Sequence, residues 1–313
     1  MNRLCLFYAL LIFISGYSQQ PLVTPFIPEM VQKFPNVRDL TMSPDGNELM
    51  FTAQSIMGNL STIIYLKKEN DSWGHMQTAP FSGQYFDLEP CFSTDGLKLY
   101  FVSSRPLSPN LMESKDFDIW YVERTSLNDG WSRPKHMGHP INTAYGEFYP
   151  SLAENGNLYF TRDNTSLERK DDIYMSEYHN GTYLEPHPLP ESINSKSYEY
   201  NAYIAPDESY LIFGAYNRED GYGSGDLYIS YKTGNNWSVA KNMGDIINSN
   251  KMDYCPFMDT KNGMLYFTSK RDNTKTQFNA HLSIEDLFSE LHRYDNGLSR
   301  LYRIAVDSLK VNK

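Results

Sequence analysis

One stretch of sequence occurs five times along the chain, and this repetition constrains the fold more than any other feature. The clearest copy is EPCFSTDGLKLYFVSSR at 89–105, and related copies begin at Leu40, Tyr149, Asn201 and Cys255. Each copy places a turn of the Asp-Gly, Asn-Gly or Asp-Glu type between two apolar runs, which is typical of a β-hairpin. The second run of each copy carries a phenylalanine, and these are Phe51, Phe101, Phe160, Phe213 and Phe267. Their spacings of 50, 59, 53 and 54 residues match the period of propeller blades.

A third and a fourth strand follow each hairpin in the predicted pattern. The third-strand segments are IIYL (63–66), DIWYV (118–122), DIYMS (172–176), DLYIS (226–230) and RLYRI (300–304). A fourth strand is predicted to begin near an aromatic residue, and these residues are Trp73, Trp131, Tyr183 and Trp237. Four antiparallel strands in about 50 residues make one blade. The predicted blades cover 36–80, 87–138, 147–190, 199–244 and 253–306.

The fifth repeat has no fourth strand of its own, whereas the N-terminal segment has a spare one. PLVTPFIP (21–28) stands where the repeat spacing places a fourth strand, but it precedes the first blade. We therefore expect this segment to pair with the strand at 300–306 and to close the ring, which also removes an exposed sheet edge. The sequence predicts an all-β fold, a five-bladed propeller of four-stranded antiparallel blades.

An insertion at 272–299 separates the second and third strands of the fifth blade. Ser283 is predicted to cap a short helix, because Ile284, Leu287, Phe288 and Leu291 follow the helical spacing of an apolar face. The topology predicts that this helix lies on the same face as the acidic residues described below. Two roles are left open: a lid packed over the mouth of the central tunnel, or a surface that binds a partner.

The N-terminal 18 residues have the pattern of a cleavable signal peptide. Arg3 is followed by an apolar run at 4–14, and Gly16 and Ser18 supply small residues before Gln19. The predicted mature chain, 19–313, is one propeller domain that is periplasmic or secreted, without a membrane span once the signal is removed. An uncleaved N-terminal anchor is the alternative.

The charge and the cysteines exclude some classes of protein. The chain has a formal net charge of −10, so we expect no nucleic-acid partner. Cys91 and Cys255 both fall in apolar strand patterns, which favours buried free thiols over a single disulfide bridge.

The repeats resemble the TolB-like, or WD40-like PD40, propeller family. The resemblance is carried by SPDG (43–46), STDG (93–96), YFTSKR (266–271) and GYGSGDLY (221–228), and it covers about residues 21–306. The third, fourth and fifth repeats depart from it with AENG, APDE and DTKNG. The resemblance implies a propeller that binds partners through the open face of its ring.

Charged and aromatic residues recur next to the predicted innermost strands. The carboxylates at equivalent positions, predicted to surround the mouth of the tunnel, are Asp87, Glu147, Glu199 and Asp253, and the first repeat has Val37 there. Neighbouring aromatic residues that are candidates for stacking on a ligand are Phe86, Phe148, Tyr149, Tyr198, Tyr200 and Tyr254. A basic rim is predicted from Arg105, Arg218 and Arg271. The repetition of these charges favours a lattice of ion pairs that fixes the blades, and ligand contact is the alternative.

The sequence predicts no catalytic residue, metal or cofactor. The seven histidines lack metal-ligand spacing, and GYGSGD (221–226) has Tyr222 where a serine-nucleophile elbow needs glycine. We therefore expect a monomeric binding or scaffold propeller that recognises a protein, peptide or glycan of the cell envelope. The alternative is a glycan-active hydrolase, in which Glu147 would pair with Glu199 or Asp87 as the two carboxylates of a glycosidase.

Overall fold

The computed structural model describes residues 22–108, 116–167 and 171–306. The predicted signal segment lies outside these residues. The described chain begins with β1 (Thr24–Pro25) and a helical turn, α1 (Pro28–Val31). Five antiparallel sheets follow around a central axis, which confirms the predicted all-β, five-bladed propeller. Among the described residues, no helix is long and apolar enough to span a bilayer.

The first two blades have their strands in simple sequence order from the axis outward. Blade 1 contains β2 (Asn36–Met42), β3 (Glu48–Gln54), β4 (Ser61–Glu69), β5 (Ser72–Trp73) and β6 (Gln77–Thr78). Blade 2 contains β7 (Asp87–Phe92), β8 (Lys98–Ser103), β9 (Asp118–Glu123) and β10 (Lys135–His136). In blade 1 the long β4 pairs with β5 at its end and with β6 further back, so the aromatic Trp73 belongs to a hairpin extension before the outermost strand.

Blades 3 and 4 follow the same plan, and each has a short hairpin before its outermost strand. Blade 3 contains β11 (Gly146–Leu152), β12 (Leu158–Asp163), a 3-10 turn (Thr165–Leu167), β13 (Asp171–Ser176), β14 (Tyr178–His179), β15 (Thr182–Tyr183) and β16 (His187–Pro188). Blade 4 contains β17 (Tyr198–Ile204), β18 (Tyr210–Tyr216), β19 (Gly225–Thr233), β20 (Asn236–Trp237) and β21 (Lys241–Asn242).

Blade 5 is built from both ends of the described chain. It contains β22 (Asp253–Asp259), β23 (Met264–Ser269) and β24 (Arg300–Ala305), with α2 (Ile284–Leu291) inserted between the last two strands. Its fourth strand is β1, which pairs antiparallel with β24 so that Thr24 lies opposite Arg303 and Pro25 opposite Tyr302. This pairing confirms the predicted closure of the ring by the N-terminal segment.

Hydrophobic side chains fill the spaces between neighbouring blades. Five clusters of buried residues each join one blade to the next around the ring. The repeated phenylalanines Phe51, Phe101, Phe160, Phe213 and Phe267 are all fully buried in these clusters. The apolar alternation of the repeats therefore encodes the contacts between blades as well as the strands themselves.

The insertion forms the predicted helix but does not pack as a lid. The hydroxyl of Ser283 accepts a hydrogen bond from the Asp286 amide, as expected of an N-cap. The four apolar side chains that define the predicted helix face remain 38–55% exposed, and no residue of α2 is buried. A lid packed over the tunnel mouth is therefore not what the structure shows.

Both cysteines of the described chain are free thiols, as predicted. Cys255 is buried at the axis, whereas Cys91 is half-buried.

Candidate functional site

The innermost strand of every blade is interrupted by a β-bulge at the same place. One residue of each bulge has a left-handed backbone, with φ between 49° and 59°. These residues are Asp39, Glu89, Tyr149, Asn201 and Cys255. A left-handed backbone is uncommon for residues other than glycine, so its occurrence in all five blades marks a position that the fold requires.

The side chains at these bulges contact one another across the axis. Arg38 donates from Nε to Asp39 Oδ1 at 2.6 Å and from Nη2 to Glu89 Oε1 at 2.7 Å. Glu89 also accepts from the Tyr149 amide at 2.7 Å and from the Asn201 side chain at 3.3 Å. We call this group, together with Cys255, the axial plug.

Cys255 connects the fifth blade to the axial plug. Its thiol donates to Asp39 Oδ1 at 2.7 Å, and it lies 3.3 Å from Asn201 Oδ1. With this contact, the plug contains side chains from all five blades and joins them at the axis by charge-assisted hydrogen bonds.

Burial and neighbouring charges shift the pKa values of Glu89 and Arg38 in the plug. Burial raises the pKa of Glu89 to about 7, with a contribution from Asp39, while Arg38 opposes the shift. Burial works against the charge on Arg38, but the neighbouring Asp39, Cys255 and Glu89 outweigh it and raise the pKa of the guanidinium well above its usual value. Glu89 therefore exchanges a proton near neutral pH while Arg38 stays charged.

We expect Glu89→Gln to remove part of the pH dependence of stability. The folded-state pKa of Glu89 lies above the ordinary value of 4.5, so the folded state binds more protons between pH 4.5 and about 7. The stabilisation that comes from the preferential protonation of Glu89 in the folded state is fully present below pH 4.5 and is lost as the pH rises through about 7. Relative to the variant, the wild-type free energy of unfolding should fall by about 1–3 kcal/mol between about pH 5 and pH 8.

Urea unfolding at the two pH values measures this difference. Glu191→Gln changes an exposed carboxylate and serves as the matched control, for which we expect the wild-type slope. Parallel pH profiles for wild type and Glu89→Gln would contradict the raised pKa.

A cavity of about 570 Å³ lies against the axial plug. Arg38, Glu89 and Asn201 of the plug contribute to its lining. Blades 3, 4 and 5 supply the remaining lining residues, which are Phe148, Thr161, Asp163, Asp171, Tyr198, Tyr200, Tyr216, Met252 and Tyr254. We call this space the axial cavity. Its volume is in the range of small-ligand sites.

Four of the six predicted stacking residues line the axial cavity: Phe148, Tyr198, Tyr200 and Tyr254. Tyr149 belongs to the plug, where its hydroxyl donates to the Pro256 carbonyl at 2.9 Å. Phe86 lies outside the lining and packs edge-on against Phe117.

Tyr200 lies flat across its own blade because two strand positions are glycines. A Cβ at Gly214 would come within 2.7 Å of the Tyr200 ring, and one at Gly225 within 2.5 Å of its hydroxyl. These glycines interrupt otherwise regular strand patterns, which is a sequence signal for the close approach of another group. Neither glycine is among the predicted site residues.

The four predicted acidic residues lie inside the blades rather than on the cavity wall. Asp87, Glu147, Glu199 and Asp253 are fully buried, and none of them lines the axial cavity. Each is bound by an arginine of the same blade: Arg105 at 2.8 Å, Arg162 at 3.0 Å, Arg218 at 2.8 Å and Arg271 at 3.2 Å. The three predicted rim arginines are therefore the partners of the acids. Arg162 was missed because it follows its phenylalanine by two residues, where the others follow by four or five.

The same arginines also tie each blade to the loop that precedes it. Each donates a second hydrogen bond to a backbone carbonyl, and these carbonyls belong to Phe81, Ile141, Ile193 and Ile247. A serine or threonine a few residues before each acid donates to the carboxylate. These contacts form a buried ion-pair lattice that holds the loop between blades in place.

We expect Glu199→Gln to lower the free energy of unfolding by about 2 kcal/mol, because the charged hydrogen bonds from Arg218 and Ser195 are weakened in a buried site. Denaturant unfolding measures the loss. Glu191→Gln, which changes an exposed carboxylate, should remain within about 0.5 kcal/mol of wild type. An unchanged stability for Glu199→Gln would contradict the assignment of this residue to a structural lattice.

No group of three or more metal-ligating side chains occurs within residues 22–108, 116–167 and 171–306. The described lining of the axial cavity contains carboxylates, one arginine and aromatic rings.

Comparison with known proteins places the chain by fold only. No family model matches the sequence, and no curated protein matches it. A solved GH62 hydrolase in complex with xylotriose is 12% identical with a TM-score of 0.52, and the match covers 93% of this chain and 98% of that one. The α-L-arabinofuranosidase from Podospora anserina, in complex with cellotriose, is 12% identical with a TM-score of 0.50, covering 91% and 96%.

TolB from Acinetobacter baumannii is also similar, at 13% identity and a TM-score of 0.48. That match covers 86% of this chain and 54% of TolB, so the chain spans about half the length of that protein. At these identities, the two hydrolase structures with TM-scores of 0.50 and 0.52 show a shared fold alone.

Proposed function

We propose that this chain is a binding propeller that recognises a glycan in the axial cavity and does not transform it. The proposal rests on the combination of an aromatic wall with a fixed polar floor. The floor is formed by the axial plug, of which Arg38, Glu89 and Asn201 line the cavity. Tyr198, Tyr200, Tyr216 and Phe148 present rings to a space of about 570 Å³. Flat aromatic rings offer the apolar surface on which sugar rings stack, and the polar floor supplies the few groups that orient a ligand.

The floor supports binding better than hydrolysis. Asp39 and Glu89 are both held by one guanidinium, and Glu89 is held in addition by two donors from blades 3 and 4. A glycosidase needs one carboxyl free to give a proton and a second free to act on the sugar or on water. In the axial plug Asp39 Oδ1 and both Glu89 oxygens accept hydrogen bonds from protein donors, so the plug serves as a rigid base for the cavity.

We also propose that the protein acts outside the cytoplasm. This rests on the signal-like residues 1–18. In this proposal the protein is a periplasmic or secreted monomer, and its ligand is a glycan of the cell envelope or of the surroundings.

Tyr200→Ala tests the proposed site. Screening the protein from residue 19 onward on a glycan array identifies a ligand, and titration calorimetry then compares the variants. We expect at least an approximately tenfold loss of affinity for Tyr200→Ala, because a stacking ring is removed from the wall. Tyr178→Ala removes a 40% exposed tyrosine from the outer hairpin of blade 3 and should bind as wild type does. Equal affinity for both variants would reject the axial cavity as the binding site.

A glycoside hydrolase is the second candidate, and one observation favours it. Glu89 lines the cavity, and its pKa of about 7 is near the value that suits a general acid at neutral pH. Solved GH62 hydrolases share the propeller fold, so arabinose-substituted polysaccharides belong in the substrate panel. Turnover by the wild type that disappears in Glu89→Gln would replace binding with hydrolysis as the function.

A further inference from the structure

A groove of about 510 Å³ crosses the junction between blades 2 and 3, and its described lining has no residue in common with that of the axial cavity. Blade 2 borders the groove with the turn between β7 and β8, and blade 3 borders it with the β14–β15 hairpin. We call it the tyrosine groove, because each blade contributes two tyrosines to the lining. These are Tyr100 and Tyr121 from blade 2 and Tyr178 and Tyr183 from blade 3, and the aliphatic residues Ile141 and Leu152 line the groove with them. Its size and its aromatic lining are typical of a ligand site.

Blade 3 departs from the repeat pattern at this groove. In blades 1, 2 and 4, a cation lies over an aromatic ring of its own blade, four positions after the third-strand partner of the repeated phenylalanine. The three pairs are Lys68 over Trp73, Arg124 over Trp131 and Lys232 over Trp237, with 5.3, 4.2 and 5.5 Å from Nζ or Cζ to the ring centroid. Tyr178 occupies this position in blade 3, and its ring centroid lies 4.9 Å from that of Tyr183. Because three blades fold with the cation, the propeller does not require this tyrosine, which is 40% exposed.

The neighbouring turn fixes the Tyr178 ring beside the groove. A Cβ at Gly156 would lie 2.7 Å from Cδ1 of this ring, and Gly156 has a φ of +91°. Glycine is therefore the residue that fits at this point of the β11–β12 turn with the ring in place. The Tyr178 amide also donates to Asn157 Oδ1 at 3.0 Å. A ring that is held in place before binding loses little conformational entropy when a ligand packs against it.

The described lining has no net formal charge and carries several hydrogen-bond donors. With histidine counted as neutral, Asp95 and Lys98 give −1 + 1 = 0. Oδ1 of Asp95 already accepts from the Ser93 hydroxyl at 2.6 Å and from the Leu97 amide at 2.9 Å. The Lys98 ammonium lies 5.4 Å from the Tyr121 ring centroid and, like the tyrosine hydroxyls, is a donor. This lining fits an uncharged ligand that presents apolar bulk and hydrogen-bond acceptors.

We propose that the tyrosine groove binds a proline-rich segment of a partner protein in the polyproline II conformation. Proline has an apolar ring and no backbone N–H, so such a segment offers carbonyl acceptors and needs donors from its partner. The tyrosine rings pack against the prolines, while their hydroxyls and Lys98 donate to the carbonyls. Polyproline II has three residues per turn, so two prolines three positions apart lie on one face about 9 Å from each other. Each blade then supplies one pair of tyrosines to one proline.

Fluorescence anisotropy with a labelled peptide of Pro-Pro-Leu repeats tests the proposal, and a peptide of Gly-Ser-Leu repeats of the same length is the control probe. We expect the proline peptide to bind the protein at least about tenfold more tightly than the control. Tyr178→Ala should lower this affinity at least about tenfold, and so should Tyr178→Lys, which gives blade 3 the cation of the other blades. Leu184→Ala truncates a 45% exposed residue beside the same hairpin, outside the described lining, and should bind as wild type does.

The outcomes separate this inference from the proposed glycan site, on which it does not rest. Urea unfolding of both Tyr178 variants distinguishes lost binding from lost folding, and we expect the wild-type midpoint for each. Absence of binding by the proline peptide, equal binding of the two peptides, or unchanged affinity in either folded Tyr178 variant overturns the inference. Loss of glycan binding in Tyr178→Ala would make the groove a glycan site and also overturns it. Tyr200→Ala, in the axial cavity, should keep the peptide while it loses the glycan.

Discussion

Phe26→Ala is expected to lower the free energy of unfolding by about 3–5 kcal/mol, the cost of removing a buried aromatic ring. Phe26 follows β1 and is 4% exposed. Its ring lies 4.9 Å from that of Tyr266 in blade 5, and its amide donates to the Leu301 carbonyl of β24. It also packs in the cluster that joins blade 5 to blade 1. One side chain therefore anchors the two-residue strand that closes the ring.

Leu22→Ala is the matched control for this prediction. Leu22 lies four residues earlier and is 76% exposed, so its truncation should change stability by less than about 0.5 kcal/mol. Urea unfolding followed by circular dichroism gives both values. A loss below about 1 kcal/mol for Phe26→Ala would mean that the ring is held closed without the N-terminal segment.

An open ring would also expose backbone. Without β1, the outer edge of β24 would present unpaired amide and carbonyl groups, which promotes pairing between molecules. We therefore expect Phe26→Ala to aggregate at lower denaturant concentrations than Leu22→Ala.

The architecture was predictable because the sequence of each repeat indicates its own strands and turns. The hairpin turns, the apolar alternation and the regular spacing gave the strands of five blades, and the unmatched segment at 21–28 gave the closure. The helix at 284–291 followed from its periodicity and its N-cap. The exposure of the apolar face of that helix could not be predicted. An amphipathic pattern specifies an apolar face but does not specify which part of the protein packs against it.

The site was predictable only in part, because the repeat pattern does not specify the direction of each side chain on the innermost strands. The equivalent acids were recognised by position, but whether Asp87 or Glu199 turns toward the axis or into its blade depends on the arginine beside it. The bulge residues share a backbone conformation but not a chemistry, so Asp39, Tyr149 and Cys255 do not look equivalent in the sequence. Arg38 and Glu89 were missed for this reason.

Arg38→Met is expected to destabilise the protein by about 3–5 kcal/mol at about pH 8, because it leaves two buried carboxylates without their cation. Asp39 and Glu89 are 1% and 3% exposed, and each forms a hydrogen bond with the guanidinium. Methionine keeps most of the length of the side chain, so the loss reports charge more than volume. The guanidinium also lies 5.2 Å from the Tyr254 ring centre, a contact that the thioether retains in part.

The pH dependence of this variant distinguishes an electrostatic role from simple packing. Glu89 already has a raised pKa with Arg38 in place, and removing the cation that opposes the shift raises that pKa further. Near pH 5 the Glu89 carboxyl in Arg38→Met is then protonated in the folded state. The destabilisation should shrink by about 1–2 kcal/mol between pH 8 and pH 5, and Arg38→Met combined with Glu89→Gln should be less destabilised than Arg38→Met at pH 8.

Arg133→Met, at an exposed position, should stay near wild type at both pH values. Equal losses for Arg38→Met at pH 5 and pH 8 would show that the arginine acts through its contacts with the tyrosine and not through its charge. A loss that is relieved by acid would establish that the five blades are joined at the axis by a balance of charges. The floor of the axial cavity would then be fixed by the same balance, and any ligand bound there would be sensitive to pH through Glu89.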